Sequence, residues 1–137
     1  MRTAEVEWSG DFSHGEGRIV STTTGALPEL GVTWKARTEE GQPLTSPEEL
    51  LAAAHASCFA MQFTHGLIAA GGEPQGMHVA AAVSFDPALG ITRSALSARV
   101  GAAGLSSEQV HEIAEAAKQA CPVSRALAGI EITLELE

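Results

Sequence analysis

The chain has 137 residues, of which 45% are hydrophobic and 18% charged, a composition typical of globular rather than disordered proteins. Its net charge is −9 and it has no basic run, which argues against nucleic acid as a partner. It has neither an apolar run of about 18 residues nor a signal-peptide pattern, so we expect a soluble, cytoplasmic protein without a membrane partner. The length suits one domain over residues 1–137.

The first third of the sequence predicts three strands. The first is TAEVEWS, whose alternating apolar and polar residues are typical of a half-buried strand. The second and third are GRIVSTT and LGVTWKAR, separated by the turn TGALPE. The third strand ends at Arg37, and the polar segment that follows predicts a loop.

A long helix is predicted from Ser46 to about Ala70. Ser46 is a good N-cap, the proline after it suits the first helical position, and Glu49 completes a capping box. From Leu50 to Phe63 this helix is apolar on nearly all sides, so we expect it to be buried all round. A sheet can cover one side of the helix, and a second copy of the chain is a natural cover for another.

The second half of the chain predicts a hairpin, two helices and a last strand. The hairpin strands are MHVAAAVSFDP and GITRSALSARVGA. An amphipathic helix over Leu105–Ala120 has Ser106 as N-cap and Gln109 as capping-box partner. A short helix starts at Pro122 and ends near Gly129, and the alternating segment IEITLELE closes the chain. This order predicts an α+β fold with mainly antiparallel sheet.

The two cysteines are the candidate reactive groups. Cys58 lies in the apolar middle of the long helix, where a cysteine is usually a small core residue and burial makes a thiol inert. Cys121 directly precedes Pro122, so it occupies the N-cap of the short helix, where N–H groups favour a thiolate. The alternative for Cys121 is a capping residue that Ser or Asp could replace.

Four other side chains are candidates for a site. A carboxylate such as Glu48 can hold the guanidinium of Arg37 in a fixed orientation, which leaves further N–H groups for a thiolate or an oxygen substrate. Taken singly, each of the two is more often a solvated surface charge. His55 and His65 are spaced to lie near the Cys58 face, so a Cys–His pair or a metal site is conceivable, although helix histidines without such a role are commoner.

Taken together, these elements resemble the OsmC/Ohr family, the osmotically inducible and organic-hydroperoxide-resistance proteins. The family's two signature segments are similar to TSPEELLAAAHASCF and ACPVSRAL, and the resemblance covers the whole chain. It implies an intertwined homodimer that acts as a thiol-dependent peroxidase. By that resemblance Cys58 is the peroxidatic cysteine, Cys121 the resolving cysteine, and Glu48 the carboxylate that orients the catalytic arginine.

The position of that arginine separates the two branches of the family. In the organic-hydroperoxide branch it comes from a Gly-Gly-Arg turn before the second strand, where this chain has SHGEGR, with Gly15 near the place of the arginine. In the OsmC branch it comes from the strand before the helix, where WKAR offers Arg37. The resemblance therefore favours the OsmC branch with Arg37 as catalytic arginine, and Arg18 is the alternative.

The resemblance implies a catalytic cycle without a cofactor or a metal. Cys58, assisted by Arg37, reduces an organic hydroperoxide, with hydrogen peroxide as a second candidate substrate, and its sulfenic acid condenses with Cys121 to a disulfide. An external dithiol, for which a lipoyl-type group is one candidate, then reduces the disulfide. Two alternatives stay open. One is a redox-silent small-molecule-binding or structural dimer with buried thiols, and the other is a Cys–His hydrolase that uses His55 or His65.

Overall fold

The structure, a computed structural model, describes residues 1–27 and 29–137, and in this part of the chain it contains two three-stranded sheets and four helices. The α+β fold class predicted from the sequence is confirmed. Contacts between residues divide the chain into two units, residues 1–50 and residues 51–137. The prediction of one domain over the whole chain stays a prediction.

The sheet of the first unit is antiparallel and has its strands in chain order. They are β1 (Ala4–Ser9), β2 (Glu16–Thr22) and β3 (Gly31–Thr33). The prediction that β1 is half buried is wrong for a single copy of the chain, because every residue of β1 is exposed, including Val6 and Trp8. The alternation is present as predicted, but among the described residues of one copy the apolar side of β1 stays exposed.

The third strand is shorter than predicted, and Arg37 lies on a helix instead of closing that strand. After Thr33 the backbone turns at Trp34 and forms the one-turn helix α1 (Lys35–Thr38). The Thr33 hydroxyl accepts a hydrogen bond from the N–H of Ala36 at 3.2 Å, which supports this turn. The segment WKAR is too short for its pattern to distinguish a strand from one helical turn, so this local hydrogen bond decides the conformation.

The long helix α2 (Pro47–Ala69) has nearly the predicted bounds. Its residues at every fourth position from 55 to 67 form one fully buried stripe: His55, Phe59, Phe63 and Leu67. The prediction of burial all round is wrong for one copy of the chain, because Met61 is 68% and Ile68 60% exposed. A single sheet covers only one side of a helix, so α2 keeps an uncovered apolar side.

The second unit contains a sheet in the order β4 (Glu73–Asp86), β5 (Gly90–Ala103) and β6 (Glu131–Leu136). The strands β4 and β5 form the predicted hairpin, whereas β6 runs parallel to β5. The connection between β5 and β6 contains α3 (Ser107–Ala120) and α4 (Pro122–Ala126). Among the described helices, none combines the length and the apolar character needed to span a membrane.

Candidate active site

The start of α2 presents Glu48 as a buried carboxylate. The Ser46 hydroxyl accepts a hydrogen bond from the N–H of Glu49 at 3.2 Å, so Ser46 is the N-cap as predicted. The Glu49 carboxylate accepts a hydrogen bond from the Thr45 hydroxyl and stays exposed at the helix start. Glu48, in contrast, is only 6% exposed. The two neighbouring glutamates thus have different tasks, and only Glu48 needs a charged partner.

Arg37 is that partner. Its Nε donates hydrogen bonds to both carboxylate oxygens of Glu48, at 3.0 and 3.1 Å, and its Nη2 donates to Oε1 at 2.6 Å. The Cζ atom of Arg37 also lies 5.2 Å from the ring centroid of Trp34. A guanidinium held in this way has a fixed orientation. The predicted contact between Arg37 and Glu48 is present, whereas the catalytic role of Arg37 and its direction toward Cys58 stay predictions.

The alternative positions for the catalytic arginine are less favourable. A Cβ atom at Gly15 would lie 2.3 Å from the carbonyl oxygen of Asp11, so this turn accommodates no side chain at position 15. Arg18 is exposed, and its Nη1 forms an ion pair with Oε2 of Glu29 at 2.9 Å. These contacts favour Arg37 over Arg18.

An apolar cavity of about 480 Å³ lies beside Arg37 in the first unit. Phe12 and Trp34 form part of its wall, with ring centroids 4.2 Å apart. Phe12 is carried on a turn in which the Asp11 carboxylate accepts a hydrogen bond from the N–H of His14 at 2.8 Å. The cavity is lined by aromatic and aliphatic side chains together with the guanidinium: Trp8, Phe12, Val32, Trp34, Arg37 and Pro47. Such a cavity suits an apolar group that carries a polar oxygen at one end.

In the second unit, Cys58 and Cys121 are brought together although they are distant in the sequence. Both are free thiols, Cys58 partly buried and Cys121 fully buried; Cys58 packs against the buried cluster that contains Cys121, and each thiol shifts the pKa of the other. Cys121 is the residue before α4, as predicted, although it makes no regular capping hydrogen bond. The two cysteines thus lie in the same part of the core, and their predicted separation within reach of a disulfide stays a prediction.

The two thiols differ in how readily they ionise. Burial raises the pKa of Cys58. The N–H of Val123 favours the Cys58 thiolate and lowers this pKa, whereas Cys121 raises it further. Burial opposes ionisation of Cys121 too, but the N–H of Ser124, the Cys58 thiol, the Ser124 hydroxyl and the N–H of Val123 together lower its pKa. The directions of the two shifts therefore favour ionisation of Cys121 over ionisation of Cys58.

His55 lies next to this pair and is fully buried. Its Nδ1 is 2.7 Å from the Ser94 hydroxyl oxygen, and its Nε2 is 2.8 Å from that of Ser124. Burial lowers the pKa of His55, so the ring is neutral at neutral pH. Sequence reasoning missed Ser94 and Ser124, although the position of Ser124 one turn after Cys121 was a usable signal.

The histidine alternatives gain no support from this geometry. Both nitrogens of His55 are engaged by serines, so His55 is not the direct base that a Cys–His hydrolase requires. His65 is exposed. Within residues 1–27 and 29–137, no group of three or more His, Cys, Asp and Glu side chains could hold a metal ion.

Comparison with known proteins decides the family. Residues 39–136 match the family model described as OsmC-like protein. The chain is 37% identical to peroxiredoxin OsmC of Escherichia coli (strain K12) over 139 aligned positions, which cover 99% of this chain and 95% of that protein. The chain belongs to the OsmC family. The family membership predicted from the two signature segments is thus confirmed.

Solved structures of OsmC-family proteins share the fold. The organic hydroperoxide resistance protein OhrB of Bacillus subtilis is 26% identical, with a TM-score of 0.68 and 98% of both chains covered. An organic hydroperoxide resistance protein OsmC from Legionella pneumophila has a TM-score of 0.74, with 98% of this chain and 96% of that chain covered. At 24% identity, the similarity to the Legionella pneumophila protein shows the fold alone.

Two arrangements in this OsmC-family protein are suited to thiol redox chemistry. In residues 1–50, a guanidinium held by a buried carboxylate borders an apolar cavity and can stabilise negative charge on an oxygen. In residues 51–137, two thiols lie in one buried cluster and shift each other's pKa, with Cys121 the more readily ionised, an arrangement suited to thiol–disulfide exchange.

Proposed function

We propose that this protein reduces organic hydroperoxides in antioxidant defence, with Cys58 as peroxidatic and Cys121 as resolving cysteine. Its enzyme class, a cysteine-based peroxidase, is that of the peroxiredoxin OsmC relatives. The observation that carries the proposal is that Cys58 packs against the buried cluster containing Cys121, where each thiol shifts the pKa of the other. A resolving cysteine must come within bonding reach of the peroxidatic one, whereas a redox-silent dimer has no such requirement.

In the first step, the proton shared by the thiols moves from Cys58 to Cys121, which leaves the thiolate on Cys58. This sulfur attacks the terminal oxygen of the hydroperoxide, so that an S–O bond forms while the O–O bond breaks. The alkoxide leaves with the bonding electron pair and takes a proton from water to become an alcohol, and the hydroxide so formed takes the proton from Cys121, which returns Cys121 to the thiolate. We assign to Arg37, oriented by Glu48, the stabilisation of both the Cys58 thiolate and the leaving alkoxide.

In the second step, the Cys121 thiolate attacks the sulfur of the Cys58 sulfenic acid. The S–S bond forms, the S–O bond breaks, and the hydroxide that leaves takes up a proton to become water. An external dithiol then reduces the disulfide by thiol–disulfide exchange, and a lipoyl-type group is one candidate. We place the protein in the cytoplasm, where such reductants keep cysteines in the thiol form.

The cavity beside Arg37 supports an organic substrate. Its volume of about 480 Å³ and its aromatic wall suit a bulky apolar group, and hydrogen peroxide has no such group. Phe12 and Trp34 supply much of that wall. We therefore propose that organic hydroperoxides are the preferred substrates and hydrogen peroxide a poorer one.

The uncovered apolar side chains support a homodimer. Val6 and Trp8 on β1 and Met61 and Ile68 on α2 are each between 48% and 68% exposed in a single copy of the chain. Monomers seldom leave so many large apolar side chains in water. We propose that a second copy covers these surfaces in an intertwined dimer.

The proposed function is tested by mixing the reduced protein with cumene hydroperoxide, a lipid hydroperoxide and hydrogen peroxide in a stopped-flow instrument. Free thiols are counted before and after the reaction. We expect rapid loss of both thiols, fastest with the two organic peroxides. Retention of both thiols with all three peroxides would contradict the proposal and favour a redox-silent dimer.

A further inference from the structure

A chain of polar side chains extends from the cysteine pair into the core of the second unit. Ser94 lies on β5, His55 on α2 and Ser124 on α4, and the three are joined through the two ring nitrogens of His55, at 2.7 and 2.8 Å. His55 and Ser94 are 0% exposed and Ser124 is 6% exposed. Cys121, fully buried, precedes the first turn of α4, which carries Ser124, and the Ser124 hydroxyl is among the groups that lower the pKa of Cys121. The chain therefore ends on the thiol that the proposed mechanism uses in its second step.

One assignment, a Ser124 hydroxyl that donates to the Cys121 sulfur, sets the direction of the other hydrogen bonds in this chain, because each hydroxyl and the neutral imidazole have a single hydrogen to donate. The Ser124 hydroxyl has one proton, and it favours the Cys121 thiolate only if it donates that proton to the sulfur. The Ser124 oxygen must then accept from an N–H at Nε2 of His55. A neutral imidazole has one N–H, so Nδ1 accepts a hydrogen bond from the Ser94 hydroxyl. All donors point toward Cys121, and such an aligned chain strengthens each hydrogen bond in it.

We propose that Ser124 and His55 are positioning residues for disulfide formation: His55 holds the Ser124 hydroxyl so that it donates to the Cys121 sulfur and keeps Cys121 as the attacking thiolate. Ser94 fixes the tautomer of His55 that this requires. The proposal rests on the proposed function, because it assigns the network to the second step of that reaction.

The step that the network assists is the attack of the Cys121 thiolate on the Cys58 sulfenic acid. A lone pair of the Cys121 sulfur forms the S–S bond, and the S–O bond of Cys58 breaks. Hydroxide leaves and takes up a proton from the buffered medium to become water. The sulfenic sulfur is reduced and Cys121 is oxidised, so no reactant beyond the hydroperoxide of the first step is needed. Removing the Ser124 hydroxyl should slow this step without slowing the first, because a Cys121 that holds its proton more tightly favours the thiolate on Cys58.

The first test does not depend on peroxidase activity. In a Cys58→Ser background, Cys121 is the remaining thiol, and its ionisation is followed by the ultraviolet absorbance of the thiolate as a function of pH. We expect Ser124→Ala to lower the acid dissociation constant of Cys121 about ten- to hundredfold. The control is Ser57→Ala on α2, whose hydroxyl donates only to the carbonyl groups of Ala53 and Ala54. An unchanged dissociation constant in folded Ser124→Ala would overturn the proposal.

Two further measurements cover the case that Ser124→Ala fails to fold. Nitrogen NMR of histidine-labelled wild-type protein should show the proton of His55 on Nε2, and a proton on Nδ1 instead would contradict the proposal. Ser124→Thr keeps the hydroxyl and should keep an ionisation of Cys121 close to the wild type. His55→Gln, which lacks the ring geometry, should weaken it, and wild-type ionisation in His55→Gln would count against a positioning role.

Kinetics then place the effect in the reaction. With both cysteines present, Ser124→Ala should form the sulfenic acid at close to the wild-type rate but convert it to the disulfide at least about tenfold more slowly. Equal slowing of both steps would indicate a structural role and overturn the proposal. If neither the wild type nor any variant forms a sulfenic acid, the proposed function is wrong. The ionisation and NMR measurements still test the hydrogen-bond network independently of that outcome.

Discussion

Arg37 and Glu48 form a bidentate ion pair in which 25% of the arginine side chain and 8% of the glutamate side chain are exposed. The carboxylate is thus nearly withdrawn from water, while part of the guanidinium stays open to a substrate. A buried charge is tolerated when a partner neutralises it and satisfies its hydrogen bonds. Glu48 therefore fixes the orientation of the Arg37 guanidinium, and the buried Glu48 carboxylate in turn needs Arg37 as its charge partner.

Replacing Arg37 by Ala is expected to slow the reaction with cumene hydroperoxide about 10²- to 10³-fold, because a donor to the developing negative charge is lost. Stopped-flow loss of thiols measures this rate. Because Arg37→Ala leaves a buried carboxylate unpaired, the double variant Arg37→Ala/Glu48→Gln is a companion that avoids this cost and should be equally slow. The control is Arg18→Ala, which should be close to the wild type. A crippled Arg18→Ala with unaffected Arg37→Ala would reassign the catalytic arginine.

Shortening the cavity wall should change substrate preference. Phe12→Ala removes a ring that packs on Trp34, so catalytic efficiency toward cumene hydroperoxide should fall about tenfold or more. Efficiency toward hydrogen peroxide should change little, because that substrate has no apolar group to bind. Leu27→Ala, at an exposed position outside the cavity, is the control. An equal loss of efficiency with both peroxides would show that the cavity does not determine substrate preference.

The sequence predicted the elements that depend on local chemistry. The capping box of Ser106 and Gln109 at the start of α3 is present with both of its hydrogen bonds, because such a box involves only neighbouring residues. The pairing of Arg37 with Glu48 was predicted from the residues themselves, because a carboxylate can hold a guanidinium in a fixed orientation, and the family resemblance added their catalytic roles. The one-turn helix that carries Arg37 was missed, since four residues contain too little periodicity to distinguish it from a strand.

Features that depend on tertiary contact were harder to predict. The network around His55 joins residues of three separate elements, and nothing in the sequence indicates that Ser94 and Ser124 meet the same ring. The exposure of β1 and of one side of α2 was not predicted for a similar reason. An apolar pattern in the sequence indicates that a side chain is covered, but it does not indicate which element or which copy of the chain covers it.

Stability should fall with acid because of His55. Burial holds the pKa of His55 below its unfolded value of about 6.5, so the unfolded state binds more protons once the pH drops beneath that value. The contribution of the neutral ring is fully present above pH of about 6.5 and is lost as the pH falls through the lower folded pKa. Urea unfolding across this range measures it. His55→Gln should flatten the dependence, and a wild-type slope in that variant would assign it to other groups.

The dimer should depend on the uncovered side of α2. Obligate dimers commonly bury more than about 2,000 Å², and a charge placed within such an interface is costly. Met61→Glu is therefore expected to dissociate or destabilise the dimer in analytical ultracentrifugation. Ala116→Glu adds the same charge to an exposed position of α3 and should leave the dimer intact. A stable, folded wild-type monomer at micromolar concentration would contradict the dimer.

The roles of the two cysteines can be read from the masses of the protein after one equivalent of cumene hydroperoxide. The wild type should lose two hydrogens, as a disulfide requires, and Cys121→Ser should gain one oxygen on Cys58, trappable with a dimedone-type reagent. Cys58→Ser should consume no peroxide, because the Cys121 thiolate has no assigned arginine to stabilise the leaving oxygen. Added oxygen on Cys121 in Cys58→Ser at the wild-type rate would exchange the two roles. Wild-type peroxide consumption by both single variants would contradict the peroxidase mechanism itself.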